Sequence, residues 1–247
     1  MITMTSKANP LIKQTKKLLQ KKHRQSAYLI EGWHLFEEAC RAEVPITRVF
    51  VLPDYLEQLS TYQGQVVCVS EQVLKELSSS QTPQGIIAEL PIPEQTFLQK
   101  VQGRYLLLED VQDPGNVGTM IRTADAAGFD GVFISEKTAD IYNPKTLRSM
   151  QGSHFHLPIY RMPTLTSLDM LQAQGVTCLA TTVSKDSVDY RSVELPSSFA
   201  LIFGNEGQGI SQEVAEVADQ LVHISMPGQA ESLNVAVAAG ILMFSFI

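Results

Sequence analysis

The five residues Phe199-Ala200-Leu201-Ile202-Phe203 carry no polar side chain and run straight into a glycine. A strand with one wet face alternates polar and apolar residues, so a strand lacking a polar face is expected to be buried on both sides. That points to the centre of a parallel sheet with helices packed on either face. The flanking sequence supplies such a fold. Strands are expected at 104–109, 131–135, 157–160, 176–181 and 220–224. Between them come helices at 118–127, 144–150 and 164–174, one beginning after Ser211, and a last apolar helix capped by Ser232. A doubly wound α/β domain follows, with functional loops at the carboxyl ends of its strands.

The N-terminal part alternates too, on a smaller scale. Asn9-Pro10 reads as a helix cap followed by proline at the first helical position. Leu11, Thr15, Leu18 and Leu19 form the inward stripe of that helix. Strands are expected at 27–30, 49–52, 66–69 and 85–90, with helices at 33–42 and 70–77. In Leu90-Pro91-Ile92-Pro93-Glu94 two closely spaced prolines oppose both helix and central strand, which marks a linker. The boundary is placed within 91–102, giving a domain over 1–93 and another over 103–247.

Charge is unevenly distributed. Residues 1–30 hold Lys7, Lys13, Lys16, Lys17, Lys21, Lys22 and Arg24 with no Asp or Glu, whereas the whole chain is at −7. Screening beyond ~10 Å mutes the distant acids, so this arm can meet a polyanion locally or serve as a solvated helix face. Cys40, Cys68 and Cys178 are odd in number and widely spaced, which fits neither a disulfide framework nor a zinc knuckle. His154 and His156 read as structural, so no metal is expected. Neither a secretory leader nor a membrane span is apparent, and a cytoplasmic protein is expected.

Three loops concentrate glycine and polar residues after strands. The first, Asp113-Pro114-Gly115-Asn116-Val117-Gly118, opens a helix that carries Arg122 one turn in. The second, Gly204-Asn205-Glu206-Gly207-Gln208-Gly209, places three glycines within six residues, which permits close backbone approach to a ligand. Its spacing is not the dinucleotide G-x-G-x-x-G, and the central carboxylate would repel phosphate. A ligand without phosphates, or a cationic one, is favoured. The third loop, residues 224–234, ends at Ser232 and Asn234. A polar Asn in a run otherwise fit for burial suggests a polar site at a helix start.

Together these stretches resemble motifs 1, 2 and 3 of the SpoU/TrmH branch of the SPOUT methyltransferases. The matching residues are Asn116-x-Gly118-x-x-x-Arg122-Thr123-Ala124, then Gly204-Asn205-Glu206-Gly207-x-Gly209. Ile224-x-Met226-x-Gly228 and Ser232-Leu233-Asn234-Val235 complete the set. Ser225 stands where the family usually has proline, and Ala236 where serine is common. Through Leu29-Ile30-Glu31-Gly32, the N-terminal part is similar to a ribosomal-protein-like substrate-binding domain.

The resemblance implies an α/β fold with a C-terminal trefoil-knotted methyltransferase domain that dimerises through its last helix. It also implies S-adenosylmethionine as cofactor, held at Gly204, Ile224, Met226, Gly228 and Leu233. The reaction implied is methyl transfer to a ribose 2′-hydroxyl of rRNA or tRNA. Arg122 would be central to that chemistry, with Asn116, Glu206, Ser232 and Asn234 around it and Glu206 orienting either Arg122 or Asn116. Lys13, Lys16, Lys17, Lys21, Lys22 and Arg24 would dock RNA phosphates. A non-catalytic RNA-binding protein on the same fold is the alternative, disfavoured because all five polar motif residues are kept. A nucleotide-dependent enzyme is disfavoured by the missing phosphate fingerprint.

Overall fold

In the computed structural model, which describes residues 3–95 and 102–247, the Asn9 side chain accepts from Leu11 N (2.9 Å) and starts the first helix. That helix, α1 (Pro10–Lys17), buries Ile12 and Thr15 and leaves its lysines in water. There follow β1 (Ala27–Glu31), α2 (Trp33–Arg41), β2 (Arg48–Val51), β3 (Val66–Cys68), α3 (Glu71–Leu77) and β4 (Ile86–Pro91). The strands form one mixed sheet in the order β1-β4-β2-β3, with β4 antiparallel to both neighbours and β2 parallel to β3. Ile12 meets Phe50, Val73, Leu77 and Ile87 in its core. Pro91 closes β4, opposite Ala27 at the start of β1. At this end β4 has run past β2 and pairs only with β1, so the missing N–H of Pro91 is tolerated there, and Ile92 N still donates to Ser26 O (2.8 Å) before the expected linker. Of the boundary region 91–102, residues 96–101 lie outside the described ones.

The second part of the chain contains β5 (Arg104–Leu108), α4 (Pro114–Ala126), β6 (Gly131–Ile134), α5 (Pro144–Met150), β7 (Ile159–Arg161), α6 (Thr164–Ala173) and β8 (Thr177–Thr181). It ends with β9 (Val188–Asp189), β10 (Phe199–Phe203), α7 (Gln212–Val217), β11 (Gln220–His223) and α8 (Val235–Ser245). All seven strands are parallel, in the order β7-β6-β5-β10-β8-β11-β9. All five residues of β10 are buried, as a strand without a polar face requires. The chain moves one way through β6 and β7, then returns to build outward from the other side of β5. The order therefore reverses between β5 and β10, where α/β sheets open a crevice.

The chain divides into two compact units, Met1–Glu94 with Tyr142–Phe155, and Gln95–Ile141 with His156–Ile247. The segment carrying α5 thus belongs to the first unit, although sequence order places it within 103–247. Aromatic packing accounts for this: the Tyr142 ring lies 4.4 Å from that of Tyr28, and His154 reaches the Tyr28 hydroxyl at 3.3 Å. His154 sits in a short 3-10 turn rather than near a strand, while His156 pairs with Asp125 at 3.2 Å. Among the described residues no group of His, Cys, Asp and Glu could hold a metal ion. Nor is any described helix long and apolar enough to cross a membrane.

Two helix starts differ from the sequence expectation. α4 starts at Pro114 rather than at the expected 118, and Asp113 caps it, its Oδ1 accepting from Gly115 N (2.7 Å) and Asn116 N (3.0 Å). Asn234, not Ser232, caps α8, accepting from Ala236 N (2.9 Å) and Val237 N (3.3 Å). Asn234 is consequently an exposed cap and not a buried polar residue. Ile202 lies at the middle of the sheet, fully buried. Ile202→Ala is expected to cost about 2–5 kcal/mol, whereas Val183→Ala, at a position 75% exposed, should stay within about 0.5 kcal/mol. Urea denaturation of both variants checks the contrast.

Candidate active site

The carboxyl ends of β10, β8 and β11 and the start of α8 surround a cavity of about 400 Å³. Its floor is the glycine loop after β10. Asn205 and Gly209 exchange backbone hydrogen bonds (2.9 and 2.8 Å), and the Asn205 side chain accepts from Gly207 N (2.9 Å) and Gln208 N (3.2 Å). This tight fold explains the first glycine. A Cβ on Gly204 would lie 2.0 Å from the Gly209 carbonyl carbon and 2.1 Å from Ile210 N. Any side chain at 204 therefore disrupts the loop itself, before a ligand is considered. Glu109 secures the loop's far end by accepting from Ser211 N (2.9 Å) and Ser211 Oγ (2.7 Å).

One carboxylate ties the three sequence motifs together. Glu206 accepts from Gln112 N (3.1 Å), Asp113 N (3.0 Å) and Asn116 Nδ2 (3.1 Å). Asn116 Oδ1 in turn accepts from Asn234 Nδ2 (3.1 Å). The loop after β10, the N-terminus of α4 and the N-terminus of α8 are thus joined by a continuous chain of side-chain bonds. Of the two orienting roles considered for Glu206, the one toward Asn116 is formed. Arg122 is exposed and has no hydrogen bond or ion pair among the described residues. Six residues of helix put it about 120° around α4 from Asn116, away from that chain.

Gly204, Ile224, Met226 and Leu233 line the cavity, as does Ser232, while Gly228 does not. Thr181, the last residue of β8, with Thr182 and Val183 beyond it, supplies a wall that no motif announced, and Ala238 and Leu242 of α8 close it. Only their place at a strand's carboxyl end could have pointed to the β8 residues. Beside the cavity Ser225, in place of the family's usual proline, donates its hydroxyl to Asp189. Arg191 binds the same carboxylate through two bonds of 2.8 Å, and these partners hold Asp189 well below the usual carboxylate range. His223 lies between Ser187 (3.0 Å) and Ser225 (3.4 Å).

On the first unit, Lys13, Lys17, Lys21 and Lys22 are exposed and unpaired among the described residues. Lys16 and Lys7 instead share Glu76, the latter at 2.9 Å, and hold its carboxyl down at about 2. Arg24 donates to Leu18 O at 2.8 Å. The free cationic set is therefore smaller than the sequence count.

Burial pushes the Glu206 carboxyl up, but its bonds from Asp113, Gln112 and Asn116 outweigh this and leave it below its ordinary value of 4.5. A depressed carboxyl contributes its full stabilisation above the unfolded value and loses it as pH falls through the lower folded value. The loop register that Glu206 maintains, and ligand affinity with it, is thus expected to hold above the ordinary value of 4.5 and to weaken as pH falls below it. Glu206→Gln should bind more weakly at neutral pH and lack that acid fall. Calorimetric titration across pH checks this; a variant that keeps the wild-type acid profile would count against the bonding scheme.

Residues 103–244 match the SpoU rRNA Methylase family, and residues 9–88 the MRM3-like substrate binding domain. The chain is 42% identical over 243 residues to the Bacillus subtilis 23S rRNA (guanosine(2553)-2′-O)-methyltransferase RlmP, covering 97% of this chain and 96% of that protein. The structure is similar to an AdoMet-bound rRNA methyltransferase from Sinorhizobium meliloti, with a TM-score of 0.89 and 33% identity over 98% of this chain and 96% of that one. It is also similar to the AdoMet complex of the SpoU methyltransferase AviRb from Streptomyces viridochromogenes, with a TM-score of 0.86 and 26% identity over 96% of each chain.

Proposed function

The chain belongs to the SpoU rRNA Methylase family, and from that premise we propose which of its residues carry the chemistry. The protein is an RNA methyltransferase that uses S-adenosylmethionine to methylate a ribose 2′-hydroxyl. The carrying observation is the cavity at the carboxyl ends of β10, β8 and β11, whose glycine floor and apolar walls suit a nucleoside without phosphates. Gly204, Ile224, Met226, Ser232 and Leu233 would hold it. When bound, S-adenosylmethionine supplies a methyl carried on a positively charged sulfur.

The chain's own task is to position the ribose and stabilise the charge that develops on its oxygen. Arg122 suits the second role. A guanidinium stays protonated at any working pH, so it is a poor base but a strong donor to an oxyanion and to a neighbouring phosphate. Glu206 is a positioning residue, because its oxygens are engaged by Gln112, Asp113 and Asn116. Asn116 and Asn234 hold the entrance in register through their mutual bond. Ser232 lines the cavity and makes no hydrogen bond among the described residues, which leaves its hydroxyl available to the ribose. A non-catalytic role would leave this arrangement without a purpose.

In the same reading, residues 1–93 bind RNA and residues 103–247 transfer the methyl group. A C-terminal trefoil knot is part of the proposal, supported by β10 entering between β5 and β8 and by α8 packing back on α4. The place of work is the cytoplasm, with ribosomal RNA as substrate; the RlmP target, guanosine 2553 of 23S rRNA, is the first position to assay. A homodimer through α8 is supported by Val237 and Phe244, each 52% exposed, and Ile247, 57% exposed. Sedimentation equilibrium should show a dimer at micromolar concentration; a monomer there would remove the interface.

The two parts should fail differently when altered. Arg122→Ala is expected to lower turnover by about a hundredfold or more, with salt-dependent RNA binding near wild type. Replacing Lys13, Lys17, Lys21 and Lys22 by alanine should weaken RNA binding and flatten its salt slope by about 0.7–0.9 for each phosphate no longer neutralised. Labelled-methyl incorporation into rRNA, with filter binding over a salt series, separates the two. An unchanged slope in the lysine variant would place RNA docking elsewhere.

A further inference from the structure

A second cavity, of about 210 Å³, opens in the first unit between α1 and the end of the sheet where β1 and β2 begin. Leu11, Leu18 and Ala27 are its apolar lining, Arg48, Glu89 and Thr15 meet at one polar end, and Gln14, Lys17, His23 and Ser26 complete the wall. Thr15 is 1% exposed and donates to Glu89 Oε2 at 3.3 Å. The Arg48 side chain is 23% exposed, with Nε 3.2 Å from the same carboxylate oxygen. Its geometry is wrong for a hydrogen bond, so the buried Nε–H has no partner. No other hydrogen bond of this guanidinium is formed among the described residues. A buried donor left unmade is costly, and a pocket that presents one beside a carboxylate is built to receive a group that both accepts and donates.

The remaining chemistry narrows the occupant. A phosphate would satisfy Arg48 but would be repelled by Glu89, which lies at the same end. A neutral planar group fits better, with apolar faces for Leu11 and Leu18 and an edge that carries an acceptor beside donors. Among the RNA bases, guanine has that edge: O6 accepts from a guanidinium while N1–H and the N2 amino group donate to a carboxylate. Lys17, on the cavity's rim, is placed to meet the accompanying phosphate.

We propose that this cavity is a base-recognition pocket that takes an unstacked guanine of the RNA through Arg48 and Glu89. The proposal rests on reading the first unit as the RNA-binding one. It differs from the lysine contacts in that it reads base identity, whereas phosphate contacts only position the chain.

The test uses four single-stranded RNA heptamers that differ only in a central G, A, C or U, titrated into the full-length protein with anisotropy as readout. The G heptamer should bind about fivefold or more tighter than the A heptamer. Glu89→Gln should erase that preference while leaving the salt slope and S-adenosylmethionine affinity unchanged. Ala27→Leu, which fills the pocket and leaves the Arg48–Glu89 pair in place, should erase it as well. Equal or undetectable binding of the four heptamers by the wild type overturns the proposal, as does a guanine preference that survives in both variants. Either result leaves methyl transfer untouched, since that reading stands on incorporation of label into rRNA.

Discussion

The Glu206 carboxylate accepts three hydrogen bonds from the start of α4 and its preceding loop, and Asn116 extends that grip to the cap of α8. Each of these elements leaves a different strand of the parallel sheet, so nothing in the sheet's own ladder fixes their mutual distance. A charged acceptor on backbone and amide donors supplies that constraint, and such bonds are stronger than those between neutral groups. The cavity exists because the three loops are held apart and in register around it. Its entrance is therefore organised before any ligand arrives, which lowers the cost of ordering on binding.

That arrangement also separates the roles of the charged residues. Glu206 is engaged by Gln112, Asp113 and Asn116 of its own chain, while Arg122 is exposed and uncommitted. The proposed role of Arg122, stabilising transient charge on a substrate, gains from having no competing partner, since a standing salt bridge would have to break first. On the first unit the same contrast appears between Lys7 and Lys16, which share Glu76, and the unpaired Lys13, Lys17, Lys21 and Lys22.

Much of this is legible in the residues. The apolar run 199–203 reads as a central strand, which β10 is, and the glycine loop behind it reads as a place of close backbone approach. The caps are harder, because Ser232 and Asn234 are both good capping residues and only the backbone decides which one ends the loop. The early start of α4 is open to the same reading as Asn9-Pro10, since Asp113-Pro114 is also a capping residue followed by proline. The wall at 181–183 carries no motif, and the polar end formed by Arg48 and Glu89 depends on strand register across 41 positions. Nor does local periodicity show that Tyr142 and His154 pack on Tyr28, since the apolar pattern of α5 names no partner.

The organising role of Glu206 around the cofactor is tested most directly by a crystal structure of this protein with S-adenosylmethionine. The expected density lies in the cavity between residues 204–209, Ile224 and Leu233, with the bonds from Glu206 to Asn116 and from Asn116 to Asn234 intact. Cofactor bound elsewhere, or bound there with those bonds broken and the three loops rearranged, would contradict it.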